Sequence, residues 1–427
     1  MNKISISSKS AIARVLVIII IVVIIIAAIA VAAYMLLKPA PERDYFKIGV
    51  ILELTGELSR GGYVCKRGYD LWVKVVNDKG GITIDGKSYR VELIYYDAKS
   101  DPAEGAKAVD KAIADGVDFL FGPYSSAVCL GTIPVIDKYG IPYFCGSPES
   151  HLIPEKKSKW TFQFLVTTRE TPIPIIEFIS KLPLKTVAII GADDAFSKSL
   201  AESFKAECER KRFQVVFYEI YPLGSTDLSP LITKIKPLNP DVLINAGHPS
   251  NHVVVVRNAK ELDFNPKIMV FHWGIDTADF LGQLGPDANY ALGVTMWSPK
   301  ASWKDPVFNS PSNFLKLFEN IHGREPDYSE ASCAATGVFV QKLLETKKLT
   351  PPFNAEKREA LRKAAEEATV ETILGPIKFS TEEAHWHVNI ELAKYLVVIQ
   401  VQNGKLIALA PEAIKEGELI FPKPSWK

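Results

Sequence analysis

FLFGPYSSAVCLGTIPVIDKYGIPYFC, residues 119–145, holds a complete strand–loop–helix–strand unit. The apolar triplet 119–121 reads as a buried strand, 127–139 as a helix, and 142–145 as the next strand. Strands separated by a helix of this length predict a parallel sheet with helices on both faces. The alternation continues upstream. Phe46-Lys47-Ile48-Gly49-Val50-Ile51-Leu52 predicts the first strand, and the glycine-containing loop TGELSRGG (55–62) follows it. Val64, Gly68, Leu71, Trp72, Val75 and Val76 then recur at helical spacing until Lys79-Gly80-Gly81, where glycines stop the helix. A strand at 89–96 and a helix at 102–114 close the gap to residue 119.

Downstream the pattern restarts. Strands are expected at 186–190, 214–221, 242–245 and 267–271, with helices at 195–211, 228–235 and 251–262 between them. Two such series in one chain predict two lobes of similar α/β architecture, each a doubly wound parallel sheet. The Thr- and Pro-rich segment 161–174 is the natural first crossing between them. From Trp297 the periodicity is less regular, with helices expected at 311–321, 333–346 and 355–368. Residues 395–407 read as a hairpin turning at Asn403-Gly404.

Ahead of this lies VLVIIIIVVIIIAAIAVAAYMLL, residues 15–37, an uncharged run of 23 residues. As a helix it would measure about 34 Å, enough to span a hydrocarbon core. Lys3, Lys9 and Arg14 precede it, so the positive-inside tendency places the N-terminus in the cytoplasm and Pro39 onward outside. A cleaved signal peptide is the competing interpretation, since Ala28-Ile29-Ala30 and Ala30-Val31-Ala32 resemble small-residue cleavage sites. The length of the run favours a retained anchor. Both interpretations put the remaining chain, about 380 residues, outside the cytoplasm.

The formal net charge is +1 with both signs interspersed, which argues against a nucleic-acid groove. The five cysteines, Cys65, Cys129, Cys145, Cys208 and Cys333, are odd in number and widely spaced. That excludes a disulfide framework and a zinc site, and favours buried free thiols, with one or two bridges remaining possible. No cofactor is expected.

Ligands of open parallel sheets gather at the carboxyl ends of the strands. Four loops there combine small residues with hydroxyls or carboxylates: 55–62, Gly122-Pro123-Tyr124-Ser125-Ser126, Cys145-Gly146-Ser147-Pro148-Glu149-Ser150, and Gly191-Ala192-Asp193-Asp194-Ala195-Phe196. Ser125 or Ser126 would cap the helix that begins near Ala127, leaving N–H groups that suit a ligand carboxylate. The plainer alternative is that these serines only cap a helix and the glycines only turn the chain.

The order of these pieces resembles the leucine/isoleucine/valine-binding family of type I periplasmic binding proteins, the solute receptors of ABC importers. FKIGVILELTG, VVNDKGGITIDG, LIYYDAKSDPAEGAKAV, FLFGPYSSA and GIPYFCGSPES carry the likeness in the first series. VAIIGADDAFSKSLAESF, DVLINAGHP, ETILGPIKFS and VIQVQNGK carry it onward, so that it covers residues 46–403.

The resemblance implies a two-lobed clamp with three crossings, closing on a small solute and handing it to a membrane permease with its ATPase subunits. The expected layout is a cytoplasmic stub at 1–14, a transmembrane anchor at 15–37 and a linker at 38–44. The first lobe would run over 45–166 and the second over 167–295. The chain would return to the first lobe at 296–372 and to the second at 373–427.

It also implies roles. Ser126 falls where the family holds a ligand carboxylate, Ser150 on its hydroxyl partner, and the carbonyl facing the ligand ammonium falls near Pro148. Phe196 stands where amino-acid binders often carry tyrosine, and His248 follows the Ala-Gly pair. Trp273 falls at or beside the position of the ammonium-binding carboxylate, a charge it cannot supply. Either Glu149 replaces that acid, with Asp193 and Asp194 as weaker candidates, or the ligand lacks an ammonium group. In the second case Trp273, Phe196 and Tyr124 form an aromatic slot for a carboxylate or amide.

A serine hydrolase using Ser125 or Ser126 with His248 or His272 is a remote alternative, because no G-x-S-x-G elbow occurs. His385-Trp386-His387 could face a metal, but no third ligand at suitable spacing supports it, and a surface pair is expected. A ligand-sensing receptor is the nearer rival to transport. The short cytoplasmic stub leaves it no output domain of its own, so signalling would need a partner protein.

Overall fold

The apolar runs become the buried middles of two sheets. The computed structural model describes residues 16–27 and 43–426. Residues 16–27 are helical, while Val15, 28–37, the stub 1–14 and most of the linker lie outside the described residues. Among the described residues no helix is long and apolar enough to cross a membrane.

The first sheet begins with β1 (Tyr45–Leu52), followed by α1 (Ser59–Asp78) and the hairpin β2 (Ile82–Ile84) and β3 (Lys87–Asp97). Then come α2 (Pro102–Ala114), β4 (Phe119–Phe121), α3 (Ser126–Tyr139), β5 (Tyr143–Cys145) and β6 (Thr161–Gln163). The strand order is β2-β3-β1-β4-β5-β6. β1 runs parallel to both neighbours, with Val50 opposite Tyr95 on one side and Phe121 on the other. Only the hairpin strand β2 runs antiparallel to its neighbour in this sheet. Segment 161–174 thus contributes a strand before it crosses.

The second sheet is built from α4 (Pro172–Ile179), β7 (Thr186–Ala192), α5 (Ala195–Arg210), β8 (Gln214–Tyr221), α6 (Ser229–Ile235) and β9 (Val242–Ala246). It continues through α7 (Pro249–Glu261), β10 (Ile268–Phe271), α8 (Ala278–Leu284) and β11 (Ala291–Thr295). The chain then forms α9 (Pro311–His322), α10 (Tyr328–Lys347), α11 (Ala355–Glu367) and the small ladder β12 (Val370–Thr372) with β13 (Gly375–Ile377). It ends in β14 (Val397–Gln402) and β15 (Lys405–Ala410), giving a seven-stranded order β15-β14-β11-β10-β9-β7-β8. Asn403 and Gly404 both have positive φ, 51° and 73°, as a two-residue hairpin turn of the mirror-image type requires.

α10 packs lengthwise on α1 and touches β5, two elements of the first lobe. The approach is close enough that a Cβ on Gly337 would lie 2.1 Å from the Trp72 ring, and one on Gly68 2.3 Å from the Glu330 carbonyl oxygen. α10 begins earlier than residue 333 because Asp327 and Glu330 form a reciprocal cap. The polar run Ser329-Glu330 hid that start in the sequence. Glu330 is fully buried and takes Arg67 at 2.6 Å and Arg324, pairings that a buried carboxylate needs.

Two expectations are corrected here. The return to the second lobe does not begin at 373. Val388 bridges in parallel to Gln163 of the first sheet, and second-sheet pairing resumes only at β14. His387 is not a surface residue: it is fully buried, stacks on Phe162 at 4.3 Å, and pairs with Glu366 at 3.0 Å. His385 turns instead to Glu170, and the described residues contain no cluster suited to a metal ion.

All five cysteines are buried free thiols, with Cys129 and Cys145 sulfurs 3.7 Å apart. Burial pushes the Cys65, Cys145 and Cys208 thiols up, away from the reactive thiolate. The native protein is therefore expected to give no colour with a thiol-reactive disulfide reagent, and all five thiols after unfolding in guanidinium. A lower count after unfolding would reveal bridges.

Candidate functional site

The loops at the carboxyl ends of β1, β4 and β5 face those of β7, β9 and β10. α3 starts where it does because Ser125, in extended conformation, caps it, accepting the Val128 N–H at 3.4 Å. The two amides just ahead of it are engaged within the chain. Glu53, fully buried just beyond β1, accepts the Tyr124 N–H at 3.0 Å and the Ser125 N–H at 3.1 Å. A carboxylate at a helix N-terminus is favoured by the unpaired amides and the helix dipole. Here the chain's own side chain stands just ahead of that terminus. Burial pushes the Glu53 carboxyl up to about 7, although these amide bonds pull it down.

Ser126 turns toward the neighbouring loop. Its Oγ accepts the Glu149 N–H at 3.2 Å and the Ser150 N–H at 3.1 Å, which pins residues 146–150 against α3. Ser150 is drawn the other way, with its hydroxyl 2.7 Å from that of Ser199 on α5, a bond between the two lobes.

A second link between lobes runs through aromatic and acidic groups. Tyr124 Oη lies 2.7 Å from His248 Nδ1, and His248 Nε2 lies 3.3 Å from Asp194 Oδ2. Asp194 also caps α5, accepting the Phe196 and Ser197 amides at 2.9 and 3.1 Å. Burial alone would raise its carboxyl, but His248 and these donors outweigh it and hold the group below the usual range.

Glu149 is the most exacting residue of the site. It is 4% exposed, and its Oε1 accepts the Tyr328 hydroxyl at 2.6 Å. Oε2 has no hydrogen-bond partner. His272 Nε2 stands 3.4 Å away, yet without hydrogen-bond geometry, and both of its ring nitrogens are unpartnered as well. Burial pushes the Glu149 carboxyl up to about 8 and the His272 imidazole down to about 3, so near neutral pH the pair is uncharged. Trp273 Nε1 is another buried donor without a partner. Its ring sits 5.6 Å from Tyr124 and 5.9 Å from Tyr328, while Phe196 lies 5.4 Å from His248.

These groups enclose a cavity of about 20 Å³ lined by Tyr124, Ser125, Ser126, Ser147, Pro148, Glu149, Asp194, Phe196, His248, Trp273 and Ser329. Of the site residues expected from the sequence, only Ser150 and the weaker candidate Asp193 do not line it. Tyr124, His248 and Trp273 also line an adjoining cleft of about 710 Å³ that reaches Glu57, Leu58, Arg60 and Tyr63 of the 55–62 loop and the start of α1. Asp193 points away, paired with Lys198 at 2.6 Å. Neither Ser125 nor Ser126 bonds a histidine.

Sequence reasoning missed Glu53 and Tyr328. The signal for Glu53 was available: a lone acid directly after a buried strand, facing the next helix mouth. Tyr328 gave none, since its neighbourhood follows from how α10 packs.

Comparison with known proteins gives a consistent kinship. The family model described as periplasmic binding protein matches residues 46–405. A Leu/Ile/Val-binding protein homolog 7 of Brucella suis is 22% identical over 406 residues, 92% of this chain and 98% of that one. Among solved structures, the branched-chain amino acid binding protein LivJ of Streptococcus pneumoniae, in complex with isoleucine, superposes with a TM-score of 0.72 at 22% identity. That match covers 88% of this chain and 100% of LivJ. A solute-binding protein of Rhodopseudomonas palustris, in complex with benzoate, gives 0.73 at 18% identity, over 87% of this chain and 99% of the other.

Proposed function

The chain belongs to the periplasmic binding protein family, and from that premise we propose that it is a membrane-tethered, extracytoplasmic solute receptor that serves an ABC importer by hinged closure of its lobes. The observation that carries this is the convergence of loops from both sheets on one polar, aromatic-walled cavity with an unsatisfied carboxylate oxygen. A buried polar atom left without a partner costs about 1–3 kcal/mol, a debt that a bound solute can settle.

In this reading the apolar run 15–37 holds the receptor at the membrane. Ser126, Pro148, Glu149 and Ser150 act from the first lobe, and Phe196, His248 and Trp273 from the second. Tyr124 reaches across between them. Glu149 receives a positive head group of the ligand, the role that Trp273 cannot fill. Closed contacts such as Tyr124–His248 and Ser150–Ser199 add to those made through the ligand, so a solute that bridges the lobes shifts the population toward closure.

The test uses the full chain in detergent micelles, titrated calorimetrically and by thermal melting against amino acids, amines, amides and organic acids. At least one class is expected to bind reversibly, raise the melting temperature in proportion to ln[ligand], and be recovered unchanged. A flat response to all classes, or conversion of the compound, would reject the receptor reading.

A further inference from the structure

We infer that the solute is a primary amine carrying no carboxylate beside its ammonium group, with its head in the small cavity and its tail in the adjoining cleft. This rests on the receptor reading above and narrows its ligand. Three independent features of the site lead to it.

The first is the mouth of α3. The Tyr124 and Ser125 amides just ahead of it are held by Glu53 at 3.0 and 3.1 Å. A ligand carboxylate placed there would lose those donors and meet a buried acid. Ser126 is also committed, since its oxygen accepts two backbone amides and keeps a single O–H to offer.

The second is the balance of acidic over basic groups. The cavity is lined by Glu149 and Asp194, with Glu53 directly behind it, and by no lysine or arginine. Of the three guanidinium groups that line the outer cleft, Arg67 and Arg324 are spent on buried Glu330 and Arg60 stands 3.5 Å from Asp279. The unpartnered Glu149 Oε2 becomes an acceptor once the carboxyl releases its proton, which an ammonium placed beside it favours. Tyr124 and Trp273 add ring faces whose quadrupoles attract a cation.

The third is size. A space of about 20 Å³ admits one water-sized group, since about 10–15 Å³ of such volume accommodates a single water. A primary ammonium is of that size; a trimethylammonium group is several times larger. The cleft beyond, about 710 Å³ and sharing Tyr124, His248 and Trp273 with the cavity, has room for an alkyl or aryl tail.

The experiment titrates the full chain with n-butylamine, phenethylamine, leucine, isovalerate and tetramethylammonium at one ionic strength. One of the two amines is expected to bind at least tenfold more tightly than leucine, with isovalerate and tetramethylammonium weaker still. Glu149→Gln should lower the amine affinity at least tenfold while leaving the melting temperature without ligand at or above that of the parent. Leucine or isovalerate binding more tightly than both amines would overturn the inference and leave the receptor reading intact. Tetramethylammonium in first place, or an amine affinity unmoved by Glu149→Gln, would also overturn it. Silence from all five overturns the inference, and the wider panel above then decides the receptor reading separately.

Discussion

At pH 9, Glu149→Gln is expected to melt well above the parent protein, by on the order of a few kcal/mol of unfolding free energy. The parent's Glu149 carboxyl is raised by burial from 4.5 to about 8. A folded-state value above the unfolded one means that the folded protein holds the proton more tightly. The resulting stability is full below about pH 4.5 and is lost as pH rises through about 8. Beyond that point the parent carries a buried charge whose one hydrogen bond, from Tyr328, does not replace its lost hydration. Glutamine keeps the shape and never ionises.

At pH 5 the two proteins should differ little. Acid acts elsewhere: His252 and His272 are depressed by burial to about 3, so their contribution is present above about pH 6.5 and lost as pH falls through 3. Thermal melts of both proteins from pH 4 to 9 check the signs. Parallel curves above pH 7 would mean that Glu149 is not the buried acid described. A gain in stability joined to a loss of binding is the usual exchange at a site built for a ligand rather than for the fold.

Much of this arrangement was legible in the chain itself, for a physical reason. Residues 119–145 show strand, loop and helix in clear succession because each element there is bounded by residues with a local job: Gly122, the cap Ser125, and Gly140 at a left-handed C-terminus. The rule that ligands gather at the carboxyl ends of parallel strands picks out the loops at 122–126, 145–150 and 191–196, and residues of all three line one cavity. What was hidden depends on contacts far apart in sequence. Residues 161–163 form a strand because Tyr143–Cys145 and Val388 lie beside them, which no local pattern announces. Polar Tyr328-Ser329-Glu330 opens a helix through the reciprocal cap of Asp327 and Glu330, and Glu330 can be buried there because Arg67, far upstream, neutralises it. His387 reads as a surface residue in the sequence because histidine on its own says nothing about burial. Glu53 is the most instructive omission: a carboxylate at the end of a strand, it holds the two amides just ahead of the helix where a ligand's anion was expected.

That same corner of the fold gives the strongest expected loss of stability. A Cβ on Gly62 would lie 1.9 Å from the Glu53 carbonyl oxygen, and one on neighbouring Gly61 2.2 Å from the Tyr124 ring. Backbone cannot yield as a flexible side-chain tip does, so α1 or the end of β1 must move. Overpacking of this kind costs about 1–3 kcal/mol and sometimes more. Gly62→Ala is therefore expected to lower the melting temperature by roughly 5 °C or more, despite alanine's higher helix propensity. Because Glu53 holds the mouth of α3, the displacement also reaches the cavity, and amine binding should weaken in the fraction that folds. Gly282→Ala is the matched control. That glycine lies in α8 with nothing within 4 Å of a built Cβ, so alanine there should be neutral or stabilising by about 0.5–1 kcal/mol. Equal melting temperatures for the two variants would show that α1 does not press on β1 as described, and Glu53 would lose its claim to be held in place by that contact.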